Sequence, residues 1–358
     1  MKINNSIIHR FIFLLLLFIN MDVFAQTGAD SMLNFIIQNK SRTSLYLQKN
    51  DTVKAALNEN KSMPLASTVK ILVAIEFAKQ AAANFVNENK YVALTELANY
   101  YLPGTDDDGH ADWINYEKQM GDVFDDSVKL IDVARGMIMF SSNANTEFLM
   151  DLLGFKKVNN NIDLFGLKKH SPIYPMVSSL FMYQNPKDFK EDKILKDINK
   201  LSEVEYARST MLIHEQMKED SDYKNTFRPE GLTYKMQKLW SDRLPSSTTK
   251  DYVRIGNVLN DRKNFNQNTF GILAEVLETM MENPANQSLF LHAGMKGGST
   301  IFVLTKDLYA TLKNGTRIEL AYFFNDLSQV ENLLLQSWTN DFELKVLTDE
   351  SFRKRMKF

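Results

Sequence analysis

The run "STIFVLTKDLYATLKNGTRIELAYFF", residues 299–324, decides the fold class. "STIFVLT" and "DLYATL" are rich in β-branched and aromatic residues, and "KNGT" is an Asn-Gly hairpin signal leading into "RIELAYFF". Next, "SQVENLLLQSW" opens with Ser328 and Glu331 as a capping box. It predicts a helix with Val330, Leu333, Leu334 and Trp338 on its apolar face. Near the other end, "DSMLNFIIQ" predicts an amphipathic first helix, and "TSLYLQKNDTVKAALNENK" two short strands around an Asn-Asp turn. From Ser67 to about residue 287 the patterns are mostly helical, as in "SVKLIDVARGMIMF" and "NTFGILAEVLETMM". Strands near both ends with helices between them predict an α+β fold. One antiparallel sheet is made from both termini and flanked by the terminal helices, with an all-helical lobe inserted. Residues 26–66 and 288–358 then form the α/β lobe, residues 67–287 the helical lobe, and the cleft between them is a natural place for a site.

The chain has 358 residues, 44% of them hydrophobic, with a formal net charge of −2. A balance so close to neutral points away from nucleic-acid and membrane-surface partners. There is no cysteine. Disulfides, thiol nucleophiles and cysteine metal sites are therefore excluded, and the core must hold the fold. Residues 1–25 form a separate segment. Lys2, His9 and Arg10 precede "FIFLLLLFI", and Val23 and Ala25 offer small residues before Gln26. This is the layout of a secretory signal peptide, too short in its apolar core to span a bilayer, and it predicts a periplasmic or extracellular monomer.

The segment "KSMPLASTVKILVAIEFAKQ", residues 61–80, poses the chemical question, since Lys70 sits inside a run otherwise almost all apolar. A helix apolar nearly all round is buried. Pro64, Ala66 and Ser67 mark its start, where free backbone N–H groups and the helix dipole favour a developing alkoxide or oxyanion. Lys70 lies one turn further on, close enough to hydrogen-bond the Ser67 hydroxyl. A desolvated lysine has a lowered pKa, so its neutral amine can take the serine proton. Ser-x-x-Lys alone is weak evidence: it recurs at Ser221/Lys224, Ser247/Lys250 and Ser351/Lys354 in polar or charged surroundings. Ser67 differs in its burial and its company.

That company is "GMIMFSSNANTEFLMDLLG", which places Ser141, Ser142 and Asn143 at an interhelical turn, and "LFLHAGMKGGSTIFVLT", which carries Lys296-Gly297-Gly298-Ser299-Thr300 along a strand. Taken alone, Ser141 and Asn143 read as helix caps and Lys296 as a solvated strand residue. Ser-x-x-Lys, then Ser-x-Asn, then Lys-x-Gly, in that order, resembles the signature of class A β-lactamases and penicillin-binding proteins. The resemblance runs from the first helix to the last and implies a β-lactamase/transpeptidase-like fold. It also implies roles. Ser67 would be the acylated nucleophile and Lys70 its base. Ser141, aided by Lys296, would protonate the leaving nitrogen, and Asn143 would bind the substrate's acylamide group. Gly298 would let the substrate approach, the N–H groups of Ser67 and Ser299 would form the oxyanion hole, and Ser299 and Thr300 would contact the substrate carboxylate.

Three positions depart from the family pattern. Ser142 stands where an aspartate is usual, Gly297 where a hydroxyl is usual, and no glutamate lies between Glu147 and Glu191 to serve as the deacylating base. Asp151, Asp163 and His170 are the nearest candidates in that stretch. Acylation is thus provided for and fast deacylation is not. The readings that follow are a secreted serine hydrolase acting slowly on β-lactam amides, a cell-wall D,D-peptidase or esterase with the same machinery, or a weakly catalytic module binding wall peptides or β-lactams. The extra length between Ser141 and Lys296, around residues 191–220 and the polar stretch beyond, reads as a solvated helical insertion able to wall the cleft. No metal or cofactor is expected: His110, His170, His214 and His292 are scattered, and "GTDDDGH", residues 104–110, lacks the alternating ligands of a calcium loop and reads as a solvated loop.

Overall fold

The computed structural model describes residues 21–184 and 190–358. Most of the expected signal segment, residues 1–20, therefore lies outside the described residues.

Helix α1 (Met21–Gln38) leads into the hairpin β1 (Thr43–Lys49) and β2 (Thr52–Leu57). Asn50 and Asp51 between them have φ of 48° and 62°, the left-handed pair that a two-residue hairpin turn requires. The chain returns to this sheet with β3 (Phe290–Ser299), β4 (Leu304–Leu312) and β5 (Arg317–Phe324). All pairings are antiparallel, in the order β2-β1-β5-β4-β3. β1 and β5 are therefore neighbours, with Leu45 opposite Tyr322 and Leu47 opposite Leu320.

Alternation along the strands sorts side chains onto two faces. Leu45, Leu47, Leu308, Leu320 and Tyr322 pack beneath α1 and the C-terminal helix α12 (Gln329–Thr348). Tyr46, Tyr309, Ala321 and Phe323 face the other way, into a core shared with the helical region. The longer helices of that region are α2 (Lys70–Ala82), α3 (Gly109–Met120), α4 (Leu130–Met139), α5 (Asn143–Leu153), α6 (Phe155–Leu164), α7 (Glu191–Asn199), α8 (Glu203–Glu219), α9 (Tyr234–Arg243), α10 (Thr249–Asp261) and α11 (Gln267–Leu277). Helix α10 crosses the inner face of the sheet through Tyr252, Val253, Ile255 and Leu259. Helix α2 is the axis of the helical core, with eleven of its thirteen residues buried. Its Glu76 is buried too, and stays satisfied by Lys79, Gln80 and Asn161.

Two expectations are corrected. "STIFVLT" is not continuous strand: β3 ends at Ser299, and Thr300–Val303 is a reverse turn closed by mutual Thr300–Val303 backbone bonds. The turn's carbonyls at Thr300 and Val303 are satisfied by the Asn332 amide, 2.8 and 3.0 Å away. That anchor turns α12 about its axis. The capping box forms as expected, but Asn332, Leu335, Thr339, Phe342 and Val346 face inward while Val330, Leu333 and Leu334 are exposed. Trp338 is partly buried. No helix among the described residues is long and apolar enough to cross a membrane.

Candidate active site

Ser67 sits in a tight 3-10 turn, Ala66–Val69, directly before α2. Ala66 has φ +46°, a left-handed conformation that costs a non-glycine residue about 1 kcal/mol or more. The turn is tied to the sheet through Thr305, whose hydroxyl lies 2.7 Å from Leu65 O and 2.8 Å from Thr68 Oγ1. Lys70 follows, fully buried. Its amine makes three hydrogen bonds, to Ser141 O (2.6 Å), Ser141 Oγ (3.2 Å) and Asn143 Oδ1 (2.9 Å), and none to Ser67. This corrects the expected direct Ser67–Lys70 bond: the Ser67 hydroxyl makes no hydrogen bond among the described residues, and the lysine reaches it only by giving up one of these partners. Burial pulls the Lys70 pKa down to about 7, partly opposed by Asp106 and Glu147.

Between α4 and α5 the sequence Ser141-Ser142-Asn143 divides its work. Ser142 is the helix cap, accepting from Asn145 N at 3.2 Å, and its hydroxyl also lies 2.9 Å from His110 Nδ1. The serine that replaces the usual aspartate thus still braces the turn. Because Ser142 takes the capping role, Ser141 and Asn143 are free to point at Lys70. Ser141 adopts φ +58° in doing so. Asn143 is held at both ends, its Nδ2 donating to Thr105 O at 2.9 Å.

Strand β3 brings the second amine. Lys296 is 4% exposed and donates to Ser141 Oγ at 3.0 Å and to Gly297 O at 2.8 Å. Ser141 Oγ therefore lies between two buried amines. Burial, then the charges of Lys70 and Lys306, hold Lys296 well below the usual ammonium range. Two ammonium groups this close disfavour each other, so near neutrality the pair tends to hold fewer than two charges, and a proton can pass across Ser141.

Gly298 is where β3 meets the Ser67 turn. A Cβ there would lie 2.5 Å from Ser67 N, 2.7 Å from Leu65 O and 2.8 Å from Thr68 N, all rigid backbone. Gly298→Ala is expected to push the strand off the turn. The cost should be about 2 kcal/mol of stability, read as a fall in the urea midpoint. The acylation rate should fall by more than the stability loss explains. Of the two hydroxyls that follow, Thr300 Oγ1 is engaged by Ser241 Oγ at 2.6 Å, while exposed Ser299 makes no side-chain hydrogen bond among the described residues.

Ser67, Ser141, Asn143, Lys296, Gly298, Ser299 and Thr300 all line one cavity of about 330 Å³. The sequence reading missed three kinds of wall residue. Asp106, from the stretch taken as a solvated loop, turns inward and accepts from Asn143 N at 3.3 Å and His110 N at 3.2 Å. Trp240 comes from α9, and Met176 and Val177 form an apolar stretch of wall. This wall is fixed from behind by Glu147, which accepts from Val177 N at 2.6 Å and from the Ser178 hydroxyl at 2.7 Å. Among the described residues no histidine or glutamate lines the cavity; Asp106 and Asp107 are its acids. His170 stacks on Tyr252 and Asp163 is exposed, both away from the cavity. Asp151 pairs with Tyr100 and Lys218. The fold also gathers Asp151, His214 and Glu215 close enough to share an ion, a grouping the sequence spacing did not signal, although the Lys218 ammonium already bonds Asp151 at 2.5 Å.

This geometry meets the comparisons with known proteins. The model of the family described as "Beta-lactamase enzyme family" matches residues 29–272. The chain belongs to the beta-lactamase enzyme family. No curated protein sequence matches it. Among solved structures, this β-lactamase family member resembles a class A beta-lactamase from Bacteroides cellulosilyticus at 15% identity and TM-score 0.52, over 91% of this chain and 99% of that one. A beta-lactamase from Sphaerobacter thermophilus matches at 16% identity and TM-score 0.54, over 90% and 97%. PBP-A matches at 14% identity and TM-score 0.50, over 89% and 95%. The β-lactamase/transpeptidase-like α+β fold expected from the sequence is therefore the fold observed. The enzyme is a serine hydrolase of the β-lactamase type.

Proposed function

We propose that the enzyme is acylated on Ser67 by β-lactam amides and releases the acyl group slowly. The observation carrying this reading is Ser141 Oγ, held 3.2 Å from Lys70 and 3.0 Å from Lys296 at the edge of a cavity whose nearby wall is Met176–Val177. In the forward step Ser67 Oγ attacks the lactam carbonyl and passes its proton to neutral Lys70. Ser141 delivers a proton to the departing nitrogen and is resupplied from the lysine pair. The carbonyl oxygen is received by the N–H groups of Ser67 and Ser299. The substrate carboxylate lies toward Lys296 and Lys306, at the leaving-group end of the cavity. Hydrolysis of the ester then needs an activated water; the Met176–Val177 wall supplies no base for it, Asp106 is engaged by the Asn143 and His110 backbone N–H groups, and Asp107 is exposed. In agreement, a neighbouring structure is described as the acyl-enzyme complex of a PBP-A variant with penicillin-G.

The test is an intact-mass time course with excess fluorescent penicillin. A single adduct that persists for many minutes and maps to the peptide containing residue 67 is expected; rapid turnover without accumulation would overturn the slow-release reading. The apolar wall also favours a second reading, a cell-wall D,D-peptidase, in which the acyl group is taken by an amine or water during normal turnover. Release of D-alanine from a D-Ala-D-Ala peptide separates the two. The charged-then-apolar run before Gln26 supports export of the chain, checked by cell fractionation and N-terminal sequencing of the mature protein.

A further inference from the structure

A second cavity, about 410 Å³, opens from the catalytic one and shares Thr105, Asp107, Trp240, Ser299, Thr300 and Gln336 with it. Its own walls are Leu180, Phe227, Pro229, Leu232, Phe302 and the otherwise exposed Leu333. Phe227, Pro229 and Leu232 belong to the stretch between α8 and α9, within the region the sequence reading took for a solvated insertion.

The chamber is built firmly. Trp240, the partition between the two cavities, donates from Nε1 to Met176 O at 3.2 Å and Ser179 Oγ at 2.9 Å. Ser241 on the same helix bonds Thr300, and Asn332 bonds the turn that carries it. The lining is apolar and aromatic with neutral amides interspersed. Gln237 and Gln336 each spend their NH₂ group, on Leu232 O and Asn332 Oδ1, which leaves both amide oxygens without a partner among the described residues. Among the described residues no lysine, arginine or histidine lines the chamber, and its one acidic side chain is exposed Asp107.

Position decides which part of a substrate it serves. The leaving nitrogen must lie where Ser141 can protonate it, at the end of the catalytic cavity that also holds Lys296 and Lys306. None of these three lines the chamber. The acyl side must extend the other way, past Thr105 and Ser299, which are the residues through which the two cavities join.

We infer that the second chamber is the binding site for the acyl-side substituent of the substrate, and that it selects extended, amide-containing, apolar chains carrying no negative charge. This rests on the acylation of Ser67 proposed above. Apolar side chains of the substituent meet Phe227, Leu232 and Phe302, and its N–H groups meet the two glutamine oxygens. An acidic substituent meets Asp107 with no compensating cation among the described residues.

The experiment compares second-order acylation rates of the full chain with three probes built on one penicillin nucleus. Their amino groups carry acetyl, an N-acetylated Ala-Phe dipeptide, or an N-acetylated Ala-Glu dipeptide. The Ala-Phe probe is expected to acylate at least tenfold faster than the acetyl probe, and the Ala-Glu probe to lose that advantage. Leu232→Trp, which fills the chamber, should cut the Ala-Phe to acetyl ratio about tenfold. Using the ratio cancels any general loss of activity, and the wild-type comparison decides even if that variant fails to fold. A wild-type ratio within twofold of one, or a ratio that a folded Leu232→Trp protein preserves, overturns the chamber. Failure of every probe to label Ser67 instead overturns the proposed function.

Discussion

Ser67→Ala is expected to abolish covalent labelling by penicillin, with no adduct in the intact mass at any time or probe concentration. The geometry leaves no substitute. The other Ser-x-x-Lys serines lie outside the catalytic cavity: Ser221 and Ser351 in short surface helices, and Ser247 buried with its hydroxyl 3.3 Å from Asp251. Ser141 is in the cavity but held between two amines, and Ser299 is an exposed serine on a strand without an adjacent base. The substitution removes one half-buried oxygen that bonds nothing, so stability should stay within about 0.5 kcal/mol of wild type. An adduct surviving on the alanine protein would move the nucleophile elsewhere, and peptide mapping would say where.

Lys70→Met is expected to slow acylation about 10³-fold, in the range for loss of a general base. Methionine matches the length and apolar stem of lysine, and it needs no desolvation of a charge. It leaves Ser141 O and Asn143 Oδ1 short of a donor, so a moderate stability loss of about 2 kcal/mol accompanies the kinetic one. The pH profile isolates the chemical role. Burial favours the neutral amine, so with Lys70 near 7 the base form grows as pH rises. Wild-type acylation should climb through about pH 7 and level off above it. The methionine variant should lose that inflection. If the inflection persists in the variant, Lys296 is the group that titrates and the assignment of the base to Lys70 fails. Quenched-flow labelling from pH 5.5 to 9 measures both quantities.

Local signals and order along the chain were readable from sequence, and long-range placement was not. The Asn314-Gly315 turn formed, with Gly315 at φ +80°, because a tight hairpin has few backbone solutions. The capping box of α12 formed for the same local reason, yet its buried face was misjudged. The deciding contact was Asn332 reaching carbonyls some thirty residues earlier, and no helical periodicity encodes that. The order Ser67-Lys70, Ser141-Asn143, Lys296 survived folding as a cluster, though the direction of Lys70 did not follow from spacing. Three acceptors contributed by a distant turn outcompete a neighbour in the turn just before the helix. Asp106 looked solvated because its stretch is acidic, and it turns inward only because Asn143 and His110 offer it two backbone donors. Glu147 carries no motif of its own in the sequence; its role depends on Val177 and Ser178 arriving across the fold. The second chamber has no local signature, since its walls come from five separated segments.

Pairing β1 with β5 has a bearing on how the molecule comes into being. Strand partners separated by some 270 residues cannot meet until nearly the whole polypeptide is present. Closing so long a loop is entropically slow, and it lets the chain remain extended until it is released. A ribosome-bound intermediate would carry helices from the middle of the sequence but no completed sheet. Lys296 would then have no seat beside Ser141, and reactivity toward penicillin would arrive all at once, with the last strand.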